Sequence, residues 1–268
     1  MGVQPGPPPT DQEYILDNSA PETARRFTGL STVFDPGTFR VLTERGVRSG
    51  WHCLEVGVGS GTVAAWLGER VGPSGHVLAT DIDSRFADDL RRPNIEVRRH
   101  DITVDALAEA AFDLIHARLV LIHLPTRDAV LRRMGSALKP GGWLVIEDYD
   151  SYATMTDPEL EGELKARQAI FRVMESKGVD LRYGRKIAAR MQEVGLTEIG
   201  AEGRIFRWQG GSPGAGIHWA NIQQMRASLL ASGLVSEAEL EADLARLDDP
   251  RYSFPSPVMW AAWGRRSP

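Results

Sequence analysis

The stretch Leu54-Glu-Val-Gly-Val-Gly-Ser-Gly-Thr-Val-Ala-Ala-Trp-Leu67 decides how the rest of this 268-residue chain is read. It has the form of a buried strand end, a glycine turn and the first turns of a helix. Gly57, Gly59 and Gly61 alternate with small residues, so the backbone can turn tightly and approach a ligand without interference from Cβ atoms. Val63, Trp66, Leu67 and Val71 then recur at helical spacing and supply a packed face. Such an opening gathers free backbone N–H groups and the positive end of a helix at one point, which suits an anionic group.

Working outward, apolar runs and turn signals predict strands over 53–56, 76–80, 95–98, 112–117 and 143–146, with helices between them. A strand within 196–208 and a closing strand over 256–263 bring the total to about seven. The alternation implies an α/β, Rossmann-like, mostly parallel sheet with helices on both faces. Residues 1–10 are rich in proline and glycine and read as disordered. Residues 11–45 read as an N-terminal helical cap broken at Pro36-Gly37, and 46–268 as one domain. Helical lid insertions are expected at about 152–182 and 213–250. In these, Phe171, Met174, Trp219, Met225 and Leu229 could line an acceptor pocket or pack the core.

The dinucleotide fingerprint asks for glycine at the sixth loop position, which here is Thr62. Glu55, two residues before the first glycine, would repel a pyrophosphate and attract an ammonium. A ligand carrying both a carboxylate and an ammonium fits this loop better. The stretch resembles motif I of class I S-adenosylmethionine-dependent methyltransferases, and the acids that follow keep that family's order. Asp81 follows Gly61 by 20 residues at the end of the second strand, beside Ile82. The resemblance implies that Asp81 accepts from the ribose hydroxyls and Ile82 faces the adenine. Asp101, with Ile102, ends the third strand and would accept from the adenine amino group.

At the fourth strand, Phe112-Asp-Leu-Ile-His-Ala-Arg118 runs into Leu-Val-Leu-Ile-His-Leu-Pro125. The family places its active site here. Arg118 could pair with the methionine carboxylate, anchor an anionic substrate, or form a structural ion pair. His123 is the candidate catalytic base, with backbone hydrogen bonding as its alternative. His116 reads as structural, and Glu147 as a rim charge that faces the site if the sheet is right. Tyr14 resembles a family residue that closes over the cofactor; ordinary helix packing is the alternative. Leu181-Arg-Tyr-Gly-Arg185 and the segment from Phe254 to Arg266 resemble small-molecule methyltransferases of bacterial secondary metabolism.

A net charge of −5 and the absence of an Asn-Pro-Pro-Tyr motif argue for a small-molecule substrate and against nucleic acid. No apolar run approaches the roughly 20 residues that span a bilayer. The lone Cys53 suits a reducing cytoplasm. Scattered histidines with no paired cysteines give no metal site. A Gly-Lys-Ser/Thr loop and a Gly-x-Ser-x-Gly elbow are missing, which disfavours ATP hydrolysis and hydrolase chemistry.

The expected activity is methyl transfer from S-adenosyl-L-methionine to O, N or C of a small acceptor, a natural-product intermediate as in antibiotic biosynthesis, with S-adenosyl-L-homocysteine as product. A cyclase or isomerase that keeps the cofactor, or a non-catalytic binding subunit, are the alternatives. A homodimer is the assembly to test.

Overall fold

The computed structural model describes Leu16 and residues 21–154 and 164–268. The expected disorder at 1–10, Tyr14 and part of the first lid insertion lie outside the described residues. The chain opens on helix α1 (Thr23–Glu44), followed by β1 (His52–Val56), α2 (Thr62–Val71), β2 (His76–Asp81) and β3 (Ile95–Arg99). Next come β4 (Phe112–Arg118), α3 (Arg127–Ala137), β5 (Leu138–Asp150), α4 (Lys165–Ser176) and α5 (Ile187–Glu193). The last third holds β6 (Thr197–Arg204), β7 (Arg207–Gln209), α6 (Pro213–Ala231), α7 (Glu237–Asp248), β8 (Ser253–Pro255) and β9 (Val258–Arg265).

Seven strands form one sheet in the order β3-β2-β1-β4-β5-β9-β6. Strands β1 to β5 pair in parallel, and β9 runs antiparallel between β5 and β6. The order reverses direction between β1 and β4, so the crevice at their carboxyl ends is the switch point where such sheets bind ligands. The expected α/β sheet is therefore the one observed. The short ribbon β7–β8 lies outside it and brackets α6 and α7, a pairing that the sequence pattern did not reveal.

Each strand sends alternate residues to opposite faces. On one face Leu54, Val56, Leu78, Ile115, Leu144 and Ile146 belong to a core that includes α3, α4 and α6. On the other, Cys53, Val77, Leu114 and Val145 pack with Val41 and Leu42 of α1 and Val63, Ala64 and Leu67 of α2. Phe171, Met174, Met225 and Leu229 are buried in the first of these cores, so packing is their observed role; Trp219 packs at its margin.

Helix α1 runs through Pro36 without a break, contrary to the expected interruption. A proline inside a helix removes one backbone bond and clashes with the preceding turn, at about 3 kcal/mol. Tertiary contacts on either side of it compensate. Phe34, Thr38, Val41 and Leu42 are fully buried, and Asp35 and Thr38 bond to side chains of the sheet.

Candidate active site

The glycine loop joins β1 to α2 at the switch point. Gly57 and Gly61 have φ of 75° and 83°, in the region that favours glycine. A Cβ on Gly57 would stand 2.3 Å from Val120 Cγ2, and one on Gly61 would stand 1.9 Å from Leu90 Cδ1. These glycines are thus required by backbone conformation and by packing together. Phe27 of α1 lies over the loop, its ring 3.6 Å from the position a Cβ on Gly59 would take. The loop's entry is pinned to the neighbouring strand: the N–H groups of Gly57 and Val58 donate to the Thr80 carbonyl at 2.8 and 3.0 Å.

Asp81, at the tip of β2, meets this loop directly. Its Oδ2 accepts from the Gly59 N–H at 3.1 Å and its Oδ1 from the Asp83 N–H at 3.0 Å. Burial raises its pKa, opposed by those backbone donors. Beside it the Ile82 side chain is 50% exposed, an apolar surface at the rim of a crevice. At the tip of β3, Asp101 Oδ1 accepts from the N–H and hydroxyl of Thr103 at 2.8 and 2.6 Å. Ile102 differs from Ile82: its side chain is buried in the core, so only its backbone remains for a ligand. Thr62 begins α2.

Beneath α1, the same face of the sheet changes character toward the strand tips. It starts apolar with Cys53, Leu114 and Val145 and becomes charged at Glu55, His116, Arg118 and Glu147. Glu55 lies opposite His116, and Arg118 opposite Glu147, in the strand register. His116 Nδ1 is 2.7 Å from Glu55 Oε2, and its Nε2 is 3.4 Å from Glu147 Oε2. A neutral imidazole can donate from only one nitrogen, whereas an imidazolium donates from both. The flanking carboxylates raise the His116 pKa to about 9 against the opposing effect of burial. Glu147 falls to about 2, because His116, Arg204 and Arg118 outweigh its burial. Burial raises that of Glu55, with the His116 charge the main opposing influence.

This cluster is tied to its surroundings on two sides. Glu147 accepts from the Thr38 hydroxyl of α1 and from the Arg204 guanidinium of β6. Arg118 donates to Thr38 Oγ1 at 2.9 Å and to Asp35 Oδ1 at 2.8 Å. Of the three roles open to Arg118 in the sequence, the structure shows an ion pair, made with Asp35 of α1. Glu147, Thr38, Asp35 and Arg204 were not assembled from the sequence. The available signal was the alternation of polar His116 and Arg118 in a strand otherwise apolar.

The pH dependence of stability follows by sign. His116 has a folded pKa raised above its ordinary 6.5, so its contribution is full below pH 6.5 and is lost as pH rises through about 9. Glu147 has a folded pKa depressed below its ordinary 4.5, so its contribution is full above pH 4.5 and is lost as pH falls toward about 2. Thermal melts from pH 5 to 10 should show an alkaline decline that His116→Asn flattens. A decline of equal size in that variant would assign it to other groups.

His123 stands in the turn after β4, half-buried. Burial, with the charges of Arg26 and Arg127, lowers its pKa to about 4. The neutral form of the ring is thereby favoured. Among the described residues no group of three or more His, Cys, Asp or Glu is placed to hold a metal, and no helix is long and apolar enough to cross a membrane.

The doubly wound sheet, with a glycine loop at its switch point and an acidic tip on the next strand, is the arrangement that the resemblance to class I methyltransferases implies. Residues 54–144 match the family described as a methyltransferase domain. It is 37% identical over 156 residues to Methyltransferase str2 of Strobilurus tenacellus, covering 54% of this chain and 55% of that one. It is 33% identical over 141 residues to Methyltransferase GfsG of Streptomyces halstedii, covering 46% and 51%. The chain thus spans about half the length of the curated relatives it matches. Among solved structures, phosphoethanolamine N-methyltransferase 2 of Haemonchus contortus, in complex with phosphomonomethylethanolamine and S-adenosylhomocysteine, superposes with a TM-score of 0.59 at 15% identity. That match covers 93% of this chain and 59% of the other, and shows a shared fold.

Proposed function

We propose that the chain binds S-adenosyl-L-methionine across the tips of β1, β2 and β3 and directs its methyl group to a small-molecule acceptor, a natural-product intermediate. The contact of Asp81 with Gly59 carries this reading, because it joins the acidic tip of β2 to the glycine loop at one crevice. The residues present fit the cofactor. Asp81 is the acceptor for two ribose hydroxyls, Ile82 offers the adenine an apolar face, and Asp101 with the Ile102 backbone reads its polar edge. The loop from Gly57 to Thr62 receives the amino-acid tail, and Glu55 receives its ammonium.

When bound, the sulfonium supplies a methyl group already activated for displacement. What remains for the protein is to hold the acceptor in line with the breaking bond, where positioning accounts for much of the rate. Phe27 of α1 lies over the glycine loop at Gly59. The low proton affinity of His123 favours acceptors whose nucleophilic atom needs no strong base from the enzyme. Calorimetric titration with S-adenosylhomocysteine tests the binding step, and the expected result is saturable one-to-one binding. No heat and no competition by S-adenosylmethionine would refute the reading. With a candidate acceptor, a product heavier by one methyl supports transfer, and an isomeric product would point to cyclase chemistry instead.

A further inference from the structure

The charged row beneath α1 is expensive for a folding device. Ion pairs this deeply buried contribute little net stability compared with well-packed apolar residues. Its location is also specific: the row ends at Glu55, two residues before Gly57, where the cofactor tail is placed above.

We propose that His116 is a positioning residue for the cofactor's amino-acid tail, holding Glu55 ionised and fixing which of its oxygens faces the ammonium. This rests on the cofactor reading above. The geometry supports each part. Glu55 is 2% exposed and alone would favour its neutral acid. His116, itself fully buried and opposite Glu55 in the strand register, takes Oε2 at 2.7 Å. Oε1 makes no hydrogen bond to the described residues and is the oxygen left for a ligand. A neutral Glu55 would offer an ammonium no charge, so the imidazolium determines the strength of the site without touching the ligand.

His116 is held in turn by groups on every packed element. Glu147 on β5 takes its second nitrogen, Arg204 on β6 and Thr38 on α1 hold Glu147, and Arg118 on β4 binds Thr38 and Asp35. Glu55, Glu147 and Asp35 face His116, Arg118 and Arg204, and Arg204 also lies 3.6 Å from Glu202, which is paired in turn with Arg40. Through Thr38, the same cluster links the tail site to the helix that covers it.

The test compares two ligands with the same nucleoside. S-adenosylhomocysteine carries the amino-acid tail and methylthioadenosine lacks it. His116→Asn should weaken S-adenosylhomocysteine by about tenfold, the loss expected for a charge-assisted contact, and change methylthioadenosine by less than about twofold. Glu55→Gln should show the same pattern, and the double variant should lose no more than either single one. In the unaltered protein, nitrogen NMR of the His116 ring should report both nitrogens protonated at pH 7.5. Its signals should shift on binding S-adenosylhomocysteine and stay in place with methylthioadenosine. Equal weakening of both ligands, no weakening of either, or a neutral ring would overturn the proposal while leaving the cofactor reading intact. Failure of the unaltered protein to bind either ligand would instead remove the cofactor reading, and this proposal with it.

Discussion

Replacing Glu147 with alanine should destabilise the fold by about 3–5 kcal/mol, the range for removing one partner from a buried charged pair. Glu147 is fully buried and serves three donors on three elements: His116 on β4, Arg204 on β6 and Thr38 on α1. Its loss leaves the fully buried His116 with Glu55 alone, and Arg204 with only the more distant Glu202 at 3.6 Å. It also releases the underside of α1 beside Pro36, where the helix already lacks a backbone bond. Denaturant titration would measure the loss as a lower midpoint with an unchanged slope. Glu147→Gln should fall between, since the amide can still accept from Thr38 while losing the charge. A change below about 1 kcal/mol would mean that the cluster is not sealed as described.

The second large effect is expected at Asp81. Asp81→Ala should weaken S-adenosylhomocysteine by about 1–3 kcal/mol, the cost of leaving hydrogen-bonding partners unmet. That corresponds to about fivefold to 150-fold in dissociation constant. Two losses combine: the ribose hydroxyls lose their acceptor, and the Gly59 N–H loses the Oδ2 contact that shapes the loop. Because Asp81 sits at a strand tip, the melting temperature should change little compared with Glu147→Ala. Asp81→Asn keeps one acceptor oxygen and should retain part of the affinity. Unchanged affinity in the alanine variant would place the nucleoside elsewhere.

The two effects separate what the chain reveals locally from what it conceals. Periodicity and turn signals located the first four strands to within a residue at each end, because parallel strands covered on both faces read as continuous apolar runs, whereas β5 runs from Leu138 to Asp150, well past the expected 143–146. The glycine loop was legible for a related reason: positive φ and close neighbours favour glycine at Gly57 and Gly61. Asp81 followed from its spacing to that loop. Helix α1 was misjudged because Pro36-Gly37 is a strong local signal for a break, and nothing nearby in sequence reports the side chains that override it.

By itself, then, the sequence determined the α/β architecture, the position of the glycine loop and the acid at the next strand tip, because each is encoded within a short window. The tertiary structure alone decided the partners of Arg118, His116 and Glu147. Their partners are distant in the chain: Asp35 precedes Arg118 by 83 residues, and Glu55 precedes His116 by 61. A charged side chain at a strand tip looks the same in sequence whether it meets solvent, a ligand or a buried partner. Only the packing of α1 across the sheet removes the water and makes these groups depend on one another.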